Sequence, residues 1–244
     1  MGRGPTAGCG ATDRNRGIVP VIECREDHLL AQTERPLTQE SLARACRVLV
    51  GRDPHLDASF RAHGAPPLWK RRPGFRTLVQ IVLEQQVSLA SGRATLKRIE
   101  AAFGRITADR LARAGEEGLR SVGVTRQKAR YCALLAQANQ TGELNLRQVS
   151  RSPDREAMIS LTGFKGIGPW TAEVYLLMAL GRPDVWPAGD LALAKAIQAV
   201  KRLPERPDEE AMRALARPWR PFRAVAARML WHDYLQRDRR VQVG

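Results

Sequence analysis

Residues 161–190, LTGFKGIGPWTAEVYLLMALGRPDVWPAGD, hold the side chains whose types and spacing could do chemistry. Asp190 follows Gly189 and precedes LALAKAIQAV, a clear helical run. Its structural role there is an N-cap that accepts a hydrogen bond from the second or third helical N–H. A carboxylate fixed in that way is also an anion held ready to stabilise a positive intermediate. Twenty-odd residues upstream, Gly166 and Gly168 flank Ile167, and Pro169 opens the apolar run from Trp170 to Leu180. Glycines allow turn angles that bring successive backbone N–H groups to one side, and proline suits the first helical turn. A helix N-terminus built in this way can hold a phosphate.

The spacing lets these two features meet. A helix from Trp170 to Leu180 is roughly 16 Å long, and the connection from Gly181 to Gly189 can span about 30 Å when extended. That is enough to return Asp190 to the hairpin. An anion beside a phosphate site makes sense when the bound group develops positive charge between them. A nucleotide losing its base does so, because its sugar becomes oxocarbenium-like; Asp190 would stabilise that sugar and orient the attacking water.

The chain has 244 residues and a formal net charge of +15, which points to an anionic partner, most simply nucleic acid. Arg126 and Lys128, in VGVTRQKAR, are candidate contacts to a nucleic-acid backbone, with a merely solvated basic turn as the plainer reading. Cys9, Cys24, Cys46 and Cys132 are scattered without a CxxC pair or a histidine at metal-ligand spacing. Cys46 and Cys132 fall on apolar helical stripes and read as buried thiols in a reducing compartment. The longest apolar run, Val174 to Leu180, is too short to span a bilayer, and the first residues lack the apolar core of a secretion signal. The expectation is a cytoplasmic protein of bacterial type, associated with the nucleoid through DNA and acting as a monomer without membrane contact.

The elements that must position these groups are helices. Residues 1–35 lack periodicity and read as a basic, mobile tail, with a short ordered piece near Val19 to Cys24. Residues 36–244 form the second unit. Thr38 caps a helix displaying Leu42, Ala45, Cys46 and Leu49 and closed by Gly51. A second carries Phe75, Leu78, Ile81 and Val82 and stops near Glu84-Gln85-Gln86. A third runs from Ser88 to Phe103. Thr107, Thr125 and Ser152 start three more, and the hairpin helix, the helix after Asp190 and two others follow. Period-two alternation is missing, so the reading is all-α, with eight to ten short helices.

The combination GIGPWTA, DVWPAGDLAL and the upstream LEQQVS resembles the helix-hairpin-helix DNA glycosylase superfamily, and within it the 3-methyladenine DNA glycosylase II group. The resemblance covers roughly Arg72 to Tyr234. It implies two helical lobes with the active-site cleft between them. It also implies extrahelical capture of an alkylated purine such as 3-methyladenine or 7-methylguanine from double-stranded DNA, and hydrolysis of its N-glycosidic bond in base excision repair. By the same resemblance Asp190 is the catalytic carboxylate. Gly163, Lys165, Gly166, Gly168 and Thr171 line the DNA-binding hairpin. The carbonyls of Gly163, Gly166 and Gly168 would hold a structural Na+ or K+, no other cofactor being required. Trp170, Trp231 and Tyr175 would form the base pocket, where an aromatic face attracts a cationic base by stacking and cation–π contact. Gln85 and Gln86 would enter the minor groove, with Gln86 where relatives place an apolar wedge.

The chain departs from parts of this pattern. Relatives that also cleave the backbone carry a lysine nucleophile where Trp170 stands, so water is the expected nucleophile here. The Cys-rich iron–sulfur loop of some relatives has no counterpart in the scattered cysteines. The tyrosine that relatives place four residues after the tryptophan is Val174, with Tyr175 beside it. Two other readings stay open on the residues alone: a noncatalytic helix-hairpin-helix DNA-binding module, and a glycosylase/lyase for oxidised bases.

Overall fold

A computed structural model describes residues 36–243 as twelve α-helices and one short 3-10 turn, with no strand among the described residues. The tail 1–35, including the piece expected near Val19 to Cys24, lies outside the described residues. The helices are α1 (Gln39–Val50), α2 (Pro54–His63), α3 (Phe75–Glu84), α4 (Leu89–Phe103), α5 (Ala108–Ser121), α6 (Arg126–Thr141), α7 (Leu146–Arg151), α8 (Asp154–Thr162), α9 (Pro169–Met178), α10 (Leu191–Lys201), α11 (Glu209–Leu215) and α12 (Arg223–Val243).

Local signals account for most boundaries. Thr38 and Ser41 form a reciprocal capping box on α1, Ser88 caps α4 and Thr107 caps α5. Two short helices, α2 and α7, exceed the expected set. The first starts at Asp53-Pro54, a cap followed by proline at the first helical position; the second is capped by Asn145. Helix α8 starts one residue later than Ser152 suggests, because the Ser152 hydroxyl donates to the Gln148 carbonyl instead of capping.

Two apolar cores hold the molecule. One gathers α3 to α9 around Leu78, Ile81, Leu111, Leu135 and Tyr175. The other gathers α1 and α2 with α10 to α12 around Leu49, Leu56, Ile197, Trp219 and Leu230. The start of the described chain therefore packs with its end. Helix α9 serves both lobes, since Leu176 lies in the first core and Leu177 in the second. Arg228, wholly buried on α12, ties the seam by donating to the carbonyls of Leu68 and Leu177. Burial pushes the Cys46 and Cys132 thiols up to about 11 and about 12, as inert buried cysteines require.

Helices α3 and α4 approach closely at Gly92, where a Cβ would lie 2.6 Å from Glu84 Cγ. Glu84 is buried, and its carboxylate is met by Arg71 and Gln80 at 2.8 and 2.9 Å. This packing sets the exit of α3 and hence the turn that carries Gln85 and Gln86.

Candidate active site at the lobe seam

The hairpin between α8 and α9 forms as its glycines allow. Gly166 lies at φ +93, in the left-handed region, and the buried Ile167 anchors the turn, donating to the Phe164 carbonyl at 3.1 Å. A side chain at Gly166 would also strike the Tyr131 ring at 2.5 Å. Gly168 is the N-cap of α9 and brings no capping side chain; Gly168 and Pro169 are exposed. The positive end of α9 therefore opens outward.

The chain then returns. Residues Gly181 to Gly189 are pinned by Arg223, which grips Asp184 through Nε at 3.0 Å and Nη2 at 2.8 Å. Further along, Asp190 caps α10 by accepting from the Leu193 N–H at 2.8 Å. Its carboxylate takes two more bonds, one from each lobe. Trp170 Nε1, in the first turn of α9, donates to Oδ2 at 2.9 Å, and Trp231 Nε1, on α12, donates to Oδ1 at 3.1 Å. Three elements thus converge on one carboxylate at the seam. A carboxylate offers about four lone-pair sites. Three are taken, two of them on Oδ1, so the free acceptor site lies on Oδ2.

Both tryptophans meet Asp190 through ring-edge N–H groups; Trp170 is half-buried, but Trp231 is buried in the second core and does not line an open base pocket as expected. That bonding was not legible in the sequence. Tyr175 is not part of a pocket with them: it is fully buried in the first core, and its hydroxyl accepts from the Gly74 N–H at 3.0 Å, holding the start of α3. Five residues after Trp170, it sits roughly 140° round the helix.

Three of the expected DNA contacts also turn inward. Thr171 is buried and accepts from Gln85 Nε2 at 2.8 Å. Gln85 donates again through Nε2 to the Gly166 carbonyl at 2.8 Å, so its amide joins the α3–α4 turn to the hairpin. Lys128 directs its ammonium to the carbonyls of Leu83 and Gln85, both at 2.8 Å, and not outward. Gln86, Gly163, Lys165, Gly168 and Arg126 are exposed, as surface contacts must be, and Gly166 is partly so. Arg126 has a long 3.9 Å approach to Glu116.

Two of the three hairpin carbonyls expected to face a cation already accept one hydrogen bond each. The Gly166 oxygen accepts from Gln85, and the Gly168 oxygen accepts from the Ala172 N–H at 3.1 Å, which points it along α9. No cluster of His, Cys, Asp or Glu that could hold a metal occurs among the described residues.

Glu173 is a buried carboxylate near the site that pattern reading missed. One turn beyond Trp170 in an otherwise apolar helix, it is buried, and burial pushes its carboxyl up to about 7, partly opposed by Arg213. Arg213 lies 3.5 Å from one of its oxygens and 3.2 Å from Glu209, while the other Glu173 oxygen has no partner. Glu209 in turn faces Gly189, where a Cβ would lie 3.0 Å from Oε1. The signal was the i, i+3 spacing of a carboxylate from Trp170.

Among the described residues no helix is long and apolar enough to cross a membrane. The chain is similar to DNA-3-methyladenine glycosylase of Bacillus subtilis, 27% identical over 70% of this chain and 59% of that protein. It spans 59–65% of the length of the Bacillus subtilis relatives it matches. Its fold is similar to the Schizosaccharomyces pombe 3-methyladenine DNA glycosylase solved with abasic DNA, at 25% identity and TM-score 0.70, covering 77% of this chain and 95% of that one. It is also similar to DNA-3-methyladenine glycosidase from Bacillus halodurans, at 26% identity and TM-score 0.67, covering 80% and 91%. The family profile described as HhH-GPD superfamily base excision DNA repair protein matches residues 79–221, more than half of the chain. The chain belongs to the HhH-GPD superfamily of base excision DNA repair proteins.

Proposed function

We propose that this protein is a monofunctional DNA glycosylase, which extrudes alkylated purines of the 3-methyladenine and 7-methylguanine type from double-stranded DNA and hydrolyses their N-glycosidic bond. The observation that carries the reading is the Asp190 carboxylate, held by two indole N–H groups beside the open end of α9. A noncatalytic DNA-binding module needs the hairpin but has no use for a carboxylate oriented by both lobes.

The amides at the start of α9 and the exposed Lys165 grip the phosphate of the extruded nucleotide. Gln86, exposed at the tip of its turn, fills the gap left in the stack. The bond between sugar C1′ and the base nitrogen then breaks. A base alkylated at a ring nitrogen is already cationic and leaves neutral, so no general acid has to protonate it. The electron pair goes to the base, and positive charge develops on the sugar. Oδ2 of Asp190, with its free acceptor site, faces that charge and receives the proton of the water that adds at C1′. The half-buried indole of Trp170 offers the cationic base a surface, while Trp231, buried in the second core, acts through its N–H on Asp190.

The nucleophile is water. Trp170 cannot form a Schiff base, and Lys165 lies in the exposed hairpin, before α9 begins. The test is a base-release survey on duplex oligonucleotides carrying one lesion each, with borohydride added in parallel. Release of methylated purines without a trapped protein–DNA adduct is the expected result. Release of oxidised bases with a trapped adduct would instead favour the glycosylase/lyase, and binding without release the module.

A further inference from the structure

The α3–α4 turn is built to protrude. Gln86 is exposed and lies at φ +54, a left-handed angle that a side chain makes costly, and Val87 and Leu89 after it are 44% and 50% exposed. Such a turn keeps its shape only when its surroundings hold it. Two side chains do so from opposite sides. Lys128, from α6, donates to the Leu83 and Gln85 carbonyls, which are acceptors left over at the end of α3. Gln85 spends both Nε2 hydrogens on the other side, one on the Gly166 carbonyl and one on the Thr171 hydroxyl. A polar chain therefore runs from α6, beneath Gln86, to the hairpin and the first turn of α9, next to the residue that holds Asp190.

Lys128 makes no ion pair among the described residues, and its ammonium is half-buried. The end of α3 is buried at Leu83 and Glu84, so the lysine both satisfies these carbonyls where water has little access and fixes where they lie. We infer that Lys128 and Gln85 are positioning residues for base extrusion, fixing the Gln86–Val87 turn in its protruding form and at a set distance from the hairpin. This rests on the glycosylase reading above. A turn already in the inserting shape has no ordering to undergo while the base leaves the stack.

The experiment compares two substrates. Single-turnover release of 7-methylguanine is measured from a fully paired duplex and from the same lesion in a one-nucleotide bulge, where the stack is already broken. Lys128→Ala and Gln85→Glu, the second keeping the side-chain shape but removing the donors, should each slow release from the paired duplex about tenfold. Both should stay within about threefold of the unchanged protein on the bulge. Lys128→Arg, which can still donate to two carbonyls, should restore most of the paired-duplex rate. Equal losses on both substrates, or no loss on either, overturn the inference. An unchanged protein that releases nothing from either substrate defeats the glycosylase reading itself, and the inference with it.

Discussion

Replacing Trp170 by phenylalanine removes one N–H and leaves an aromatic face in place. That separates two roles which stacking arguments merge: a surface for the base, and a donor that aims Asp190. Among the described residues Nε1 of Trp170 is the sole donor to Oδ2, at 2.9 Å, whereas Oδ1 keeps the Leu193 N–H and Trp231. A hydrogen bond to an ionised group is worth about 1.5–3 kcal/mol, and about 1.4 kcal/mol is a factor of ten in rate. Water can replace part of the bond at this half-buried site, so the lower end applies, a loss of roughly tenfold in single-turnover base release. Binding to DNA carrying an abasic-site analogue should change by less than about twofold, because no phosphate contact is removed. Trp170→Ala, which removes the face as well, should lose more. If the phenylalanine variant releases base at the unchanged rate while alanine does not, the indole N–H has no part in catalysis and stacking explains Trp170.

Two further substitutions probe the supports of the site. Gly166→Ala forces a Cβ into the Tyr131 ring at a positive φ, so it should destabilise by about 1–3 kcal/mol. At roughly 2–4 °C per kcal/mol for a chain of this size, a lowered melting temperature and weaker DNA binding should appear together. Glu173, held up to about 7 from 4.5 by burial, binds a proton more tightly in the folded than in the unfolded chain. Its protonated form is therefore favoured by folding, and stability should fall as pH rises from the unfolded value through about 7, by at most about 3 kcal/mol, then level off. Glu173→Gln should flatten that slope in denaturant titrations between pH 5 and 8; a slope unchanged by the substitution would count against the buried-acid description.

The parts of the molecule legible in sequence were those fixed by neighbours along the chain. The caps at Thr38, Thr107 and Asp190, the helix start at Ser88, and the glycine hairpin are local signals, and each produced its element. Lys128 and Thr171 misled because their partners lie far away in sequence: 45 residues separate Lys128 from Leu83, and 86 separate Thr171 from Gln85. A basic residue near a turn looks the same whether it faces DNA or a buried carbonyl. Tyr175 misled for a different reason. Helix α9 is buried almost all round, so amphipathic pattern gives no face to choose between pocket and core. The indole bonds to Asp190 needed both lobes assembled, and no spacing rule carries that information.

The central claim is that the Asp190 carboxylate does chemistry beyond capping α10. Asp190→Asn tests it cleanly, because asparagine caps a helix about as well as aspartate and the fold should survive. Single-turnover release of 7-methylguanine should fall by at least about 100-fold, a loss of roughly 2.7 kcal/mol in transition-state stabilisation, while affinity for abasic-analogue DNA stays within a few-fold. Release at an undiminished rate would contradict the account.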